Sequence, residues 1–169
     1  RYWAAQALVA LGDDRGYAVQ DLAAHCKFEE VAFLMWNGEL PTKTQLAAFE
    51  KTERSLRAID NDLTAVLKKL RPDAHPMDVL RTAISFIGAQ DPTWADETPA
   101  ANLQKSVSMM AKLPTIVAAW SQIREGKEPL APRTDLGYSE NFLYMLSGKV
   151  PEPEIVKAFD ITMTLYAEH

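Results

Sequence analysis

Tyr166 and His169 stand three residues apart in a closing Tyr-Ala-Glu-His, at the end of an apolar helical stretch. A spacing of three puts two helical side chains on one face. Ile155, Phe159 and Thr162 precede them at steps of four, three and four, which predicts a single stripe from Ile155 to His169. A histidine at a helix C-terminus has its charged form favoured by the helix dipole, which suits a site that holds an anion. On residue type alone, the plainer reading is a core stripe that becomes polar at its end.

Other candidates for chemistry are weaker. The chain has no Gly-rich phosphate loop, no Cys/His metal spacing and no Gly-X-Ser-X-Gly elbow. None of His25, His75 and His169 has a metal-ligand neighbour in sequence, so no metal is expected. Cys26 adjoins His25, which suggests a thiolate pair, but adjacent helical residues do not face each other. A small buried or half-buried residue at a helix edge is the expectation for Cys26. Glu29-Glu30 and the Asp60, Asp62 pair read as solvated faces.

The elements that must position these residues are helical nearly throughout. Short helices are predicted over 3–11 and 19–24, and a denser one over 28–37 that Gly38 stops. Thr42 and Gln45 have capping-box spacing and begin a helix running to about Arg57. Residues 61–70 form another. Pro76 and Asp78 suit the first turn of a helix that Gly88 closes. Thr98-Pro99 caps a long helix running to Arg124. That helix is apolar on two faces, Leu103, Val107, Met110, Pro114 and Val117 on one, and Met109, Leu113, Ile116, Trp120 and Ile123 on the other. Such a helix needs cover from more than one side, and a partner subunit is the expected source. Pro114 should kink it. Helices over 138–146 and from Pro151 or Pro153 onward complete one all-α domain spanning 1–169.

Composition narrows the partners. The net charge is −5, and the basic spots at Lys68, Lys69 and Arg71 are too thin to track phosphates, so no nucleic acid is expected. The longest apolar run, Val31 to Trp36, is far short of a membrane span. No charged-then-apolar leader opens the sequence, and one cysteine suits a reducing setting, so a cytoplasmic location is expected.

Several segments carry a resemblance when taken in order. They are Arg15 to Ala23, Phe28 to Ala32, Trp36 to Thr42, His75 to Thr82, Lys112 to Ala118, Asn141 to Leu146, and Leu165 to His169. Over residues 15–169 the chain resembles the citrate synthase family, and within it the bacterial citrate and 2-methylcitrate synthases. The resemblance implies an all-α fragment of the family's large domain, with residues 1–14 an atypical N-terminal segment. It implies a homodimer, with helices 76–88 and 101–124 at the interface. It implies condensation of an acyl-CoA co-substrate, acetyl- or propionyl-CoA, with oxaloacetate, and no tightly bound cofactor. His169 falls on the histidine that hydrogen-bonds the oxaloacetate carbonyl oxygen. Tyr166 falls where citrate synthases often carry histidine and methylcitrate synthases tyrosine, which tilts the acyl preference toward propionyl.

The family's Gly-Pro-X-His-Gly and Gly-His-X-X-Tyr segments, its catalytic aspartate and its substrate-binding arginines have no counterpart in these 169 residues. The catalytic base and acid are therefore absent, and this chain alone is expected to be inactive. The competing expectation is a non-catalytic helical dimerisation or assembly module derived from the same family.

Overall fold

Capping residues set where the helices begin. The computed structural model describes residues 17–167, and among these are eight helices and no strand. They are α1 (Val19–His25), α2 (Phe28–Asn37), α3 (Lys43–Leu56), α4 (Asn61–Lys69), α5 (Pro76–Gln90), α6 (Pro99–Arg124), α7 (Tyr138–Ser147) and α8 (Pro153–Tyr166). The helix expected over 3–11 lies outside the described residues. Ahead of α3, the Thr42 N–H donates to Gln45 Oε1 at 2.9 Å and the Gln45 N–H donates back to Thr42 Oγ1 at 3.3 Å, the reciprocal box its spacing predicts. Thr98 accepts from the Ala101 N–H at the start of α6. His75 caps α5 by accepting from the Met77 N–H at 3.2 Å, a role its sequence context did not announce. Gly38 ends α2 at φ 84°, where a side chain would be strained.

Gly88 does not close its helix. α5 continues to Gln90 and stops at Asp91, whose carboxylate takes the Thr93 N–H at 2.8 Å and the Thr93 hydroxyl at 2.7 Å. The stop is an Asx-type turn, which competes with the helix for the backbone. α6 is helical without a break from Pro99 through Pro114 to Arg124.

The described residues form two compact units. One comprises 17–52, 137–140 and 151–167, and the other 53–136 and 141–150. In the first, α8 packs on α1 and α2. Its core is Leu22, Val31 and Leu34, with Cys26, Leu40 and Ala167 against it. Phe49 meets Phe33 and Trp36 edge-on, at centroid distances of 5.8 and 6.1 Å, an arrangement aromatic pairs favour.

In the second unit α4, α5 and α6 pack on one another. Leu63 and Leu67 sit one turn apart on α4, Val79 and Ala83 one turn apart on α5, and both pairs meet Ile116 and Trp120 of α6. Each fully buried aliphatic side chain contributes about 1.5–3 kcal/mol over its exposed state. Beside this core lies a buried ion pair. Glu53 and Arg57 have side chains only 1% exposed, and two parallel N–H···O bonds of 2.8 and 2.7 Å join them. Arg57 Nη1 also donates to the carbonyls of Arg133 and Leu136, at 2.7 and 2.9 Å, and so pins the loop between α6 and α7. Gln122 Nε2 donates to the Leu146 carbonyl at 2.8 Å near the end of α7.

The two faces predicted for α6 behave differently. Ile116 and Trp120 are buried, whereas Leu103 and Val117 on the other face are each 40% exposed. No described helix is long and apolar enough to cross a membrane.

The turn between α5 and α6 holds two carboxylates in local hydrogen bonds. Asp91 is held below its ordinary value of 3.8, chiefly by the Thr93 hydroxyl hydrogen bond. Asp96 is held low chiefly by the Thr98 N–H, at 3.0 Å. Lys105 adds charge to both and donates to the carbonyls of Thr93 and Asp96. A carboxyl depressed in the folded state stabilises above its ordinary pKa and loses that contribution as the pH falls toward the depressed value. The turn should therefore hold unchanged above 3.8 and loosen only below it. Carboxyl carbon shifts followed by NMR should titrate below 3.8 for both residues, and a midpoint at or above that value would contradict the assignment.

Candidate functional site

The candidate site is carried by the last turn of α8. Glu152 precedes that helix, Pro153 opens it and Ala167 follows it. Val156, Asp160, Met163, Thr164 and Ala167 form the covered row, at helical steps of four, three, one and three. The stripe predicted from sequence is therefore not the core stripe. Ile155 is 54% exposed, Tyr166 is 70% exposed and Thr162 is also exposed, and among the described members of that stripe Phe159 alone is half-buried. The reason lies in Asp160. A carboxylate in the covered row disguises that row as polar, so the more apolar Ile155 row reads as the buried one.

Asp160 sits inward because helix starts need acceptors. The first N–H groups of a helix have no partner within it. Asp160 Oδ2 accepts from the Phe28 N–H, the first of α2, at 3.0 Å. Its Oδ1 accepts from the Ser139 hydroxyl, in the first turn of α7, at 2.6 Å. Glu29, in the first turn of α2, accepts from the Tyr138 N–H at 2.8 Å. Glu29 is 3% exposed, so the solvated-face reading of Glu29-Glu30 is wrong for its first member. The rings of Phe28 and Tyr138 lie 5.1 Å apart beside these bonds. Glu30 takes the Lys27 N–H at 2.8 Å on the exposed side. Asp60 is exposed, yet it caps α4 by accepting from the Leu63 N–H at 2.7 Å.

Of the two predicted site residues, Tyr166 projects from the last turn of α8 and His169 lies outside the described residues. Ala167, next to Tyr166, packs on the Leu22, Val31 and Leu34 core, so the end of the helix is seated while Tyr166 faces outward. Cys26 is half-buried and follows α1, as expected. Burial first, and then the Glu30 carboxylate, push its thiol up, away from a nucleophilic thiolate. Among the described residues no three His, Cys, Asp or Glu side chains gather as metal ligands do.

The chain is all-helical over its described residues. Its fold matches a solved citrate synthase from Pyrobaculum aerophilum at a TM-score of 0.85 and 32% identity, covering 92% of this chain and 41% of that one. The citrate synthase of Thermotoga maritima matches at a TM-score of 0.78 and 29% identity, covering 89% of this chain and 38% of that one.

The family described as "Citrate synthase, C-terminal domain" matches residues 14–169, and the chain belongs to the citrate synthase family. Curated relatives include the 2-methylcitrate synthase of Mycobacterium tuberculosis, 54% identical over 155 residues, 92% of this chain and 39% of that protein. The citrate synthase of Mycolicibacterium smegmatis is 55% identical over 155 residues, 92% of this chain and 41% of that protein. The chain thus spans about two fifths of the length of the relatives it matches.

Proposed function

We propose that this chain forms part of a synthase that joins an acyl-CoA to oxaloacetate. The α-carbon of the acyl group loses a proton and attacks the ketone carbon of oxaloacetate. Water then cleaves the thioester, leaving a tricarboxylate and free CoA. The observation that carries the reading is Tyr166 at the end of a seated α8, in a chain of this family. His169 donates to the ketone oxygen, polarises it, and stabilises the alkoxide as the carbon–carbon bond forms. The proton-abstracting base and the assisting acid have no counterpart in these residues, so condensation belongs to a polypeptide that supplies them.

Tyr166 favours propionyl-CoA over acetyl-CoA in this reading. The relatives' names are divided at nearly equal identity, so the names do not decide between the two acyl groups. The half-open face of α6, with Leu103 and Val117, is the surface for a second copy of the chain. We place the protein in the cytoplasm on its single cysteine.

One experiment tests these points together. The polypeptide, as its gene encodes it, is assayed for CoA release from oxaloacetate with acetyl- or propionyl-CoA, and its mass in solution is measured in the same buffer. Dimers that turn over propionyl-CoA faster than acetyl-CoA are the expected result. A dimer that releases no CoA overturns the enzymatic reading, and a monomer overturns the α6 interface.

A further inference from the structure

We infer that Asp160 is a positioning residue that sets the rotation and axial height of α8, and so the direction in which its last turn presents Tyr166. The inference rests on the synthase reading for its substrate and on geometry for the rest.

Three hydrogen bonds close a triangle of helices. Phe28 of α2 and Ser139 of α7 each donate to a different oxygen of Asp160 on α8. Tyr138 of α7 donates to Glu29 of α2. Each bond lies at the start of α2 or α7, where backbone donors lack internal partners and the dipole favours negative charge. A helix advances about 1.5 Å and turns about 100° per residue. A slip of one residue in α8 would therefore break both Asp160 bonds at once, and neither α2 nor α7 could follow without breaking the third. Ala167 on the Leu22, Val31, Leu34 core is the second fixed point of α8. Tyr166 adjoins this second point, and His169 follows it by two residues in sequence. The terminal turn thus inherits its setting from a carboxylate that does not itself belong to the turn. Small displacements of groups that orient a reacting atom cost rate steeply, about a hundredfold for 1 Å.

The test compares Asp160→Ala with Asp160→Asn in the polypeptide as its gene encodes it. Asparagine keeps an acceptor for Phe28 and a polar partner for Ser139, and alanine keeps neither. Amide exchange over 161–167 should quicken about tenfold or more in Asp160→Ala and stay near the parent's in Asp160→Asn. The preference for propionyl-CoA over acetyl-CoA in kcat/KM, which Tyr166 carries in the synthase reading, should fall about tenfold in the alanine variant, and the asparagine variant should recover most of the loss. A merely structural role would not shift the choice between the two acyl substrates in this way. Unchanged exchange over 161–167 in Asp160→Ala overturns the inference, as does an unchanged preference between propionyl- and acetyl-CoA. Should the alanine variant fail to fold, Ser139→Ala removes one of the two bonds and serves the same comparison, where faster exchange supports the role and unchanged exchange overturns it. If the parent polypeptide takes no oxaloacetate, the synthase reading fails, and the exchange data still decide whether Asp160 sets α8.

Discussion

Glu53→Ala should lower the folding free energy by about 3–5 kcal/mol, because it leaves the Arg57 guanidinium buried without its counter-charge. A typical domain has only about 5–15 kcal/mol in total. In a chain of this size each kcal/mol moves the melting midpoint by about 2–4 °C, so a fall of about 6–20 °C is the expected reading in a thermal melt. Arg57→Ala should be at least as costly, since the Arg133 and Leu136 carbonyls lose their donor too. The double variant Glu53→Leu with Arg57→Met separates the two contributions. An isolated buried ion pair can often be exchanged for apolar side chains at little cost. Here two loop carbonyls would still go unmet, at about 1–3 kcal/mol for each that is buried. Partial recovery is therefore expected. A double variant as stable as the parent would show that the loop draws nothing from Arg57.

His169→Ala should lower kcat for condensation by about a hundredfold to a thousandfold, the usual effect of removing one donor from a developing oxyanion. The loss should appear in kcat and in kcat/KM alike, as it does for an interaction made mainly in the transition state. His169→Gln keeps a donor on a side chain of similar reach and should retain more activity than alanine. If kcat is unchanged in His169→Ala, another group polarises the oxaloacetate ketone. Asp160→Ala should instead act mainly on the choice between propionyl- and acetyl-CoA, so the residue that polarises oxaloacetate and the residue that sets α8 give separable kinetics.

Several helix boundaries were legible because their signals are local. Thr42 with Gln45, Thr98 with Pro99, and Gly38 each act within four residues of themselves. Errors arose where the deciding partner lies far along the chain. Glu29 looks like an exposed carboxylate in a first turn, and only Tyr138, more than a hundred residues away, makes it a buried one. Asp160 misled the reading of α8 in the same way, since an aspartate in a helical row argues for solvent until its two donors are in view. Glu53 and Arg57 stand at a spacing of four that ordinarily marks a weak surface pair. Gly88 was misread because glycine often ends helices, whereas here Asp91 and Thr93 do so. For the site, spacing placed Tyr166 and His169 on one face, but the role of His169 came from resemblance, because a histidine at a helix end suits many anions equally.

The division of the chain into two units has a consequence for how it is made. The second unit is almost one continuous stretch, 53–136 with 141–150, and its helices meet across short connections. The first unit joins α1 and α2 to α8, across well over a hundred residues. Closing so long a loop costs chain entropy that no contact offsets until the ends meet. On a ribosome delivering residues in order, the second unit can consolidate while α1 and α2 still lack their partner. The Leu22, Val31, Leu34 surface then stays open until α8 emerges, and that interval is when the nascent chain is most exposed to misassembly.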